Sequence, residues 1–593
     1  MSRSWGHRFA IAACIALVGV GACSRLKEPK GTTPPPAQSV LQPPLEQGWT
    51  STERDGFYTT PQGSQLIRFD WYASLEQPGS SEPFSADHLS RYGYLDYPNA
   101  DNLPLGFVRD LDRQWLGLTC AACHTNEINF GGKRWRIDGA PTDADTWMFL
   151  SDLERALAET AADPKSDRFK RFAANVNARA PIAEEALYQQ LKPFSEYFTK
   201  FITFRQHTEA WGRARIDAFG MIFNRATGID LNQWDNIAPP DAPVSVPFVW
   251  DSHWHDVVQW NGSAPNSFAY QRLARNVGEV LGVFANSNIV NQQRPYLFFE
   301  TTARRTNLLK IEHWLSSLRS PQWPSEFGAI DTALAGKGGA LYRVYCESCH
   351  AVTPRDQPLQ RMRTSTSALG DIGTDRVMAE NAKNRMANAG ILEGVRMPLV
   401  SHRMGPIKSP LSSVELTVRI VIGSILAPPD LSTARALLDQ DRRTLLSSLK
   451  QEDSDEGAGG VGGRNVLADL NEQAEQFILQ MKQQTDLLRY RARPLDGIWA
   501  TGPYLHNGSV PNLDELLKPA KDRPAKFHAG TREFDPVHVG FTTQSVAGAF
   551  EFDTTKRGNS NGGHEHYRGS GEQQDHVFTD DERKALIEYL KTL

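Results

Sequence analysis

Two short runs in the sequence combine cysteine and histidine at the same spacing. Residues 120–124 read Cys-Ala-Ala-Cys-His, and residues 346–350 read Cys-Glu-Ser-Cys-His. Both follow the C-x-x-C-H pattern that attaches c-type haem: two thiols on one turn bond the porphyrin, and the adjacent histidine binds its iron. The residues predicted to hold two covalently bound haem c groups are Cys120, Cys123, His124, Cys346, Cys349 and His350.

Cysteine pairs at this spacing have other uses, namely a redox dithiol, a structural disulfide or half of a zinc site. The recurrence of the full five-residue pattern in a chain with only six cysteines favours haem over all three. The remaining cysteines, Cys14 and Cys23, lie near the N-terminus.

The first 22 residues predict an export signal. A short basic start precedes an apolar stretch at 9–20, which is too short to cross a bilayer comfortably. Residues 20–23 read Val-Gly-Ala-Cys and resemble the lipobox of bacterial lipoproteins, although an ordinary secretory signal cut near Ala22 is the alternative. Lipid on Cys23 would anchor the protein to a membrane. We therefore expect a location on the periplasmic side or at the outer membrane, lipid-anchored, or secretion.

The distance between the two motifs predicts two domains rather than one compact tandem. Residues 23–48 are rich in proline and predict an extended tether. We expect a first haem domain with the active-site pocket at 49–325 and a second haem domain at 326–593. Within the second, the acidic, glycine-rich stretch 451–464 predicts a mobile surface loop.

The elements that must position these motifs are predicted to be mostly helical. Apolar residues at 340–345 recur at helical spacing and predict a helix that runs into the second motif. Thr579 and Glu582 form a capping-box pattern ahead of a closing helix. Leu116–Thr119 predicts an extended approach to the first motif. The expected fold class is mainly α, with two cytochrome c-like haem domains, long loops and little β-structure.

Composition excludes several classes of protein. The chain has 64 Lys and Arg against 69 Asp and Glu, so no nucleic-acid binding is expected. A mean hydropathy of −0.46 excludes a protein with many membrane spans. A minimal haem domain needs only about 100 residues, so the surplus indicates a built pocket. The sixth iron ligand then decides the chemistry, because an open position can bind dioxygen or peroxide.

Two histidines in loop-like stretches are candidates for a distal iron ligand. His506 lies in Gly-Pro-Tyr-Leu-His-Asn-Gly-Ser at 502–509, and His564 follows a polar, glycine-rich run that begins at Arg557. A single histidine in either setting is also compatible with a purely structural role.

Several runs together resemble a known superfamily. Residues 493–500 and 502–509 resemble the bacterial di-haem cytochrome c peroxidase superfamily. The branch that is most similar contains the rubber oxygenases and the di-haem fatty-acid dioxygenases. The runs similar to that branch are 120–125, 136–139, 532–536 and 558–561.

The resemblance implies roles for particular residues. It implies that His124 and His350 are the proximal ligands and that His564 closes the second haem, with His506 a weaker candidate. The first haem would then keep an open face. The peroxidases carry an axial methionine shortly after the run that contains His506, whereas residues 510–520 contain none. This difference favours the oxygenase branch.

The aromatic stretch at 247–262 resembles the pocket segment of that branch and supplies two catalytic candidates; a third, Trp234, lies ahead of it. Phe248 is the first choice for a side chain beside the first haem, and Trp250 and Trp234 are further candidates. Packing in an ordinary core is an equally open interpretation of these aromatics.

The expected function is that of an exported di-haem oxidoreductase. The first haem would activate dioxygen or peroxide, the second would transfer electrons, and an apolar alkene is a candidate substrate. A small electron-donor or acceptor protein is the expected partner. The alternatives are a hydrogen peroxide reductase and a lipid-anchored electron-transfer cytochrome. Radical modification of a partner protein would need an axial tyrosine, for which the sequence offers no candidate.

Overall fold

The computed structural model describes residues 39–110, 113–203, 209–289, 299–396, 405–426, 487–567 and 575–593. The predicted export signal, the lipid site Cys23 and the stretch 451–464 lie outside these residues. Among the described residues, 38% are helical and 15% are in strands, so the fold is mixed α/β. The prediction of a mainly α fold with little β-structure was wrong. Most strands are only two to four residues long, too short to show the alternation of apolar and polar residues that marks a strand in a sequence.

The described α-helices, numbered in chain order, vary from single turns to a helix of 20 residues. They are α1 Ser51–Thr59, α2 Phe69–Tyr72, α3 Thr146–Ala161, α4 Asp167–Asn177, α5 Glu184–Thr203, α6 Ala218–Phe223, α7 Ala269–Gly282, α8 Arg305–Leu315, α9 Thr332–Tyr345, α10 Leu369–Ile372, α11 Val377–Asn384, α12 Ser413–Leu426, α13 Leu513–Leu516 and α14 Asp580–Leu590.

The described strands form two three-stranded sheets and several two-stranded ones. They are β1 Val40–Leu41, β2 Ile67–Arg68, β3 Phe107–Asp110, β4 Trp115–Leu118, β5 Thr125–Phe130, β6 Lys133–Asp138, β7 Arg215–Ile216, β8 Val244–Ser245, β9 Val257–Val258, β10 Ala264–Pro265, β11 Ser287–Asn288, β12 Glu300–Thr301, β13 Ser365–Ala368, β14 Met386–Ala387, β15 Leu411–Ser412, β16 Arg489–Ala492, β17 Lys526–Ala529, β18 Phe534–Asp535, β19 Gly540–Phe541 and β20 Phe550–Asp553.

The first motif lies on the turn between the two three-stranded sheets. β4 is the central strand of the sheet β2-β4-β3, and β5 begins at the residue after His124. Between them Cys120–Ala122 forms a short 3₁₀ turn, and the Thr119 side chain accepts a hydrogen bond from the backbone of this turn. The extended approach predicted at Leu116–Thr119 is confirmed by β4.

The hairpin of β5 and β6 continues the first motif and joins the chain to its N-terminal part. Gly131 and Gly132 form its turn with positive φ at both positions, as a tight two-residue hairpin requires. β1 pairs in parallel with β6, with Val40 opposite Lys133. The ordered fold therefore includes Val40 and Leu41, which lie within the stretch predicted as a tether.

Two crossed helices carry the second motif. α9 runs directly into Cys346, and α14 begins at a capping box made by Thr579 and Glu582, so both helix predictions are confirmed. The helices approach closely at Gly338, where an added Cβ would lie 1.9 Å from the carbonyl oxygen of Ala585. Glycine at this position thus sets the spacing between the two helices.

One apolar core borders both motifs. It contains Trp135 and Trp314 from the first half of the chain together with Trp499 and Leu586 from the second. A separate core includes buried apolar residues of α3, α4 and α5. Among the described residues, no helix has the length and apolar character needed to cross a bilayer.

Candidate haem-binding sites

A cavity of about 240 Å³ lies next to the second motif. Its wall is mostly apolar and aromatic, and four histidines contribute to it: His350, His506, His564 and His566. Residues of this wall that bear on its chemistry are Phe248, Cys346, Cys349, His350, Tyr490, Arg491, Arg493, His506, His564 and Tyr567. Four separate parts of the chain therefore meet here, including the predicted distal histidine.

His350 is fixed by a hydrogen bond from its ring to the main chain. Its Nδ1–H donates to the carbonyl oxygen of Arg493 at 2.6 Å, which leaves Nε2 for a metal. Burial lowers the pKa of His350, so the imidazole stays neutral. A neutral, oriented imidazole is the form that binds iron.

His564 lies opposite His350, and its own ring nitrogen also has a partner. The two ring centres are 6.1 Å apart, and Nδ1 of His564 lies 2.9 Å from the hydroxyl oxygen of Tyr567. Two imidazoles whose Nε2 atoms each lie about 2 Å from one metal would have ring centres roughly 6 Å apart. Burial, together with His350 and Arg523, lowers the pKa of His564 to about 3. The spacing therefore suits one ligand on each side of a haem.

The first motif has a matching arrangement on its proximal side. The Nδ1–H of His124 donates to the carbonyl oxygen of Pro247 at 2.9 Å. Burial lowers the pKa of His124 to about 4. The Cys120 thiol lies 3.3 Å from the amide oxygen of Gln62. The sheet, the turn and the Pro247 carbonyl together hold the imidazole in one orientation.

Three of the four motif thiols, those of Cys120, Cys123 and Cys346, lack the lowered pKa of a reactive dithiol. Burial raises the pKa of Cys120 and Cys346 to about 12 and that of Cys123 to about 11. Reactive cysteines have a lowered pKa instead. The two pairs form no disulfide, and the described residues contain no cluster of three or more ligands arranged for a metal ion. These features fit thiols that form thioether bonds to a haem.

A second cavity, of about 90 Å³, lies between α6, α7 and α12. Glu279 and Arg275 line it, and both charges act on the Cys120 thiol. Most of the wall is apolar, with Phe219, Ile222 and Phe223 on one side and Val414, Val418 and Val421 on the other.

Buried donor groups without partners provide a test of whether a haem fits. Among the described residues, Nε and Nη1 of Arg493, Nε of Arg491 and Nε2 of His255 have no hydrogen-bond partner. Leaving such groups buried and unpaired costs on the order of 1–3 kcal/mol each. A haem carries two carboxylates, which are suitable acceptors for guanidinium groups. The residues present therefore fit this group.

The three predicted catalytic aromatics occupy different settings. Phe248 lines the larger cavity and stacks on Trp250 with ring centres 4.6 Å apart. Trp250 is fully buried, and its indole N–H donates to the carbonyl oxygen of Asp496 at 2.7 Å. Trp234 is not among the residues that line either cavity, and its ring packs on the ammonium group of Lys200 at 3.8 Å. The structure thus brings together Phe248 and Trp250 but not Trp234.

His506 lines the same cavity but has a different neighbour. Its ring stacks on Tyr490 with centres 3.9 Å apart, and burial lowers its pKa to about 3. Sequence reasoning missed His255, whose Nδ1 accepts a hydrogen bond from Arg491 at 2.9 Å. It also missed the roles of Arg491 and Arg493. The available signal was two arginines at alternate positions, Arg491 just ahead of the run at 493–500 and Arg493 at its start.

Comparisons with known proteins agree with this site. Residues 489–528 match the RoxA-like, cytochrome c-like family. Uncharacterized protein y4iJ of Sinorhizobium fredii (strain NBRC 101917 / NGR234) is 32% identical over 611 aligned residues, which cover 93% of this chain and 93% of y4iJ. The chain belongs to the y4iJ family. Uncharacterized protein y4iM of the same organism is 24% identical over 397 residues, which cover 62% of this chain and 71% of y4iM.

The matched segment identifies this member of the y4iJ family as a carrier of a cytochrome c-like domain, which implies a haem c. It supports a link to the RoxA-like di-haem family over residues 489–528. Tyr490, Arg493 and His506, all within it, line the cavity beside the second motif. The match thus falls on the wall of the candidate site and suggests a haem oxidoreductase.

Proposed function

We propose that the protein is an exported di-haem c-type oxidoreductase related to the rubber oxygenases. In this proposal the site at His124 activates dioxygen or peroxide, and the site at His350 transfers electrons. The cytochrome c-like segment and the two C-x-x-C-H motifs support it. A lipid anchor at Cys23 and a small protein as electron donor or acceptor belong to the same proposal.

The observation that carries the proposal is the unequal surroundings of the two proximal histidines. His350 has His564 opposite it at ligand spacing. In the part of the chain that the structure describes, no second imidazole pairs with His124 in this way. Two strong protein ligands suit electron transfer, whereas an open position suits the binding of small oxygen species. The inequality therefore supports a division of labour between the two sites.

The chain's own residues supply orientation and a dry surrounding. Backbone carbonyls of Pro247 and Arg493 fix the two proximal imidazoles. Phe248 adds apolar surface to the wall of the larger cavity and stacks on the buried Trp250 ring. When bound, haem c supplies one-electron chemistry and reactivity toward dioxygen or peroxide.

The wall of the smaller cavity supports an apolar substrate. Phe219, Ile222 and Val421 form apolar surface, while Gln259, Arg275 and Glu279 add polar groups to the wall. The charges of Arg275 and Glu279 also act on the Cys120 thiol of the first motif. An unsaturated fatty acid or a polyisoprene would bury its hydrocarbon here. The alternative, reduction of hydrogen peroxide, is supported by the run around His506, which resembles the peroxidase superfamily as a whole.

Titration of the reduced protein with carbon monoxide tests the proposal. Two haems by pyridine haemochromogen assay, one carbon monoxide bound per chain and a six-coordinate second haem are expected. Oxygen uptake with oleic acid, compared with peroxide turnover by a reduced cytochrome, then separates the oxygenase from the peroxidase. Two haems that both resist carbon monoxide would overturn the proposal in favour of a simple electron carrier.

A further inference from the structure

We infer that Arg493 is a positioning residue shared by both haem sites, and that it sets the reduction potentials of both haems together. This inference rests on the proposed function, because it requires a haem at each motif.

A continuous chain of contacts passes through Arg493. Its carbonyl oxygen accepts from the Nδ1–H of His350 at 2.6 Å. Its Nη2 donates to the carbonyl oxygen of Phe248 at 2.6 Å. Phe248 directly follows Pro247, whose carbonyl accepts from the Nδ1–H of His124 at 2.9 Å. Arg493 therefore connects the two proximal imidazoles through three hydrogen bonds and one peptide unit.

The Arg493 side chain is also held rigidly in place. Its guanidinium carbon lies 3.5 Å from the ring centre of Phe248. The Phe248 ring in turn stacks on Trp250. Only 4% of the residue is exposed. A guanidinium fixed in this way keeps its remaining N–H groups aimed in one direction.

The N–H groups of Arg493 that have no partner in the described part of the chain are suited to bind an anion. Nε and Nη1 of Arg493 have no hydrogen-bond partner among the described residues, and no carboxylate there forms an ion pair with them. Arg493 lines the cavity beside His350, and its charge also acts on His124. A haem carboxylate is the anion that this position would meet. The paired guanidinium would then place one positive charge near both irons.

A fixed positive charge near an iron favours the reduced state, because reduction adds one electron. Loss of the charge should therefore lower the reduction potential of each haem that feels it. Arg523 offers a matched control: it is also largely buried, but it donates to the carbonyls of Asn561 and Gly563, next to His564. Its effect should be confined to the second haem.

Spectroelectrochemical titration of the purified full-length holoprotein tests the inference. In Arg493→Gln both midpoint potentials should shift to lower values, with both haems retained. Arg493→Lys keeps the charge but not the fork of donors, so it should give a smaller shift at both haems. In Arg523→Gln only the potential of the second haem should shift.

A shift at one haem only, or at neither, in Arg493→Gln would overturn the inference. If that variant loses haem, Arg493→Lys is judged by the same criterion. Haem counting on the unmodified protein keeps the two proposals separate: a single haem defeats the proposed function, whereas two haems with independent responses defeat only the shared role of Arg493.

Discussion

The hydroxyl group of Tyr567 lies 2.9 Å from Nδ1 of His564. The hydroxyl group bonds Nδ1, so Nε2 of His564 is left free to bind a metal. This bond also fixes the His564 ring in its position opposite His350. Hydrogen bonds of this kind, one shell outside the metal, raise the basicity of the ligand and orient it.

Removal of that hydroxyl should weaken the distal ligand. In Tyr567→Phe we expect the affinity of His564 for the iron to fall by about 10- to 100-fold. Part of the second haem would then bind carbon monoxide after reduction, which visible spectra measure. Tyr97→Phe serves as the control, since that hydroxyl bonds Asp55 at 2.9 Å instead. Equal spectra for Tyr567→Phe and the unmodified protein would contradict a ligand role for His564.

The two histidine ligands should have opposite effects on gas binding. His124→Ala should abolish turnover and carbon monoxide binding while the second haem keeps its six-coordinate spectrum. His564→Ala should create an additional binding site. Intact dioxygen binding in His124→Ala, with both haems attached, would mean that the two sites have been assigned the wrong way round.

Phe248 should affect turnover more than haem attachment. Truncation of a buried phenylalanine costs about 3–5 kcal/mol of stability, so Phe248→Leu is the gentler companion to Phe248→Ala. We expect both variants to retain two haems and Phe248→Ala to lose most of its turnover. Haem loss in both, measured by haemochromogen assay, would make Phe248 a packing residue only.

The free energy of unfolding should depend on pH through the buried carboxyl group of Asp251, the residue that follows Trp250. Burial, together with the charge of Asp496, raises the pKa of Asp251 to about 7. In the unfolded chain the pKa of an aspartate is about 4. Between about pH 4 and pH 7 the Asp251 carboxyl group is therefore protonated in the folded state and ionised in the unfolded state. The contribution of Asp251 is therefore full below about pH 4 and is lost as the pH rises through about 7.

Asp251→Asn should remove this loss. We expect it to raise the free energy of unfolding at pH 8 by on the order of 2 kcal/mol and to leave it nearly unchanged at pH 4, as urea denaturation measures. Asparagine also tolerates the positive φ of 60° at this position. Asp241→Asn is the opposite control, because Arg557 holds the pKa of Asp241 below its usual value and its removal should destabilise at pH 8.

Two glycines of α9 make a matched pair. Gly338→Ala would press a methyl group against the Ala585 carbonyl and should separate α9 from α14, with a lower melting temperature and loss of the second haem's six-coordinate spectrum. Gly336 has nothing within 4 Å of an added Cβ, so Gly336→Ala should stabilise the helix by about 0.5–1 kcal/mol. A similar outcome for both would exclude the helix crossing as the cause.

The sequence predicted local elements better than their assembly. The capping box at Thr579 and the run into Cys346 are local patterns, and α14 and α9 follow from them. Apart from β4, most strands were not predicted, because short strands such as Val244–Ser245 are defined by partners elsewhere in the chain. For the same reason the sequence showed Arg493 only as the first residue of the run 493–500. Its contacts with Phe248 and His350, which link the two sites, span well over a hundred residues of the chain.

Among the described residues, Nε of Arg491 and Nε and Nη1 of Arg493 have no hydrogen-bond partner, and this affects the protein before it binds its cofactor. A chain without cofactor would bury these cations with no ion-pair partner in the part of the chain that the structure describes, whereas a ligand that binds only the folded state raises stability by mass action. Cells short of porphyrin would then hold chains that open more often and are cut by proteases. The amount of intact protein in a cell would thus report how well cofactor delivery keeps pace with synthesis.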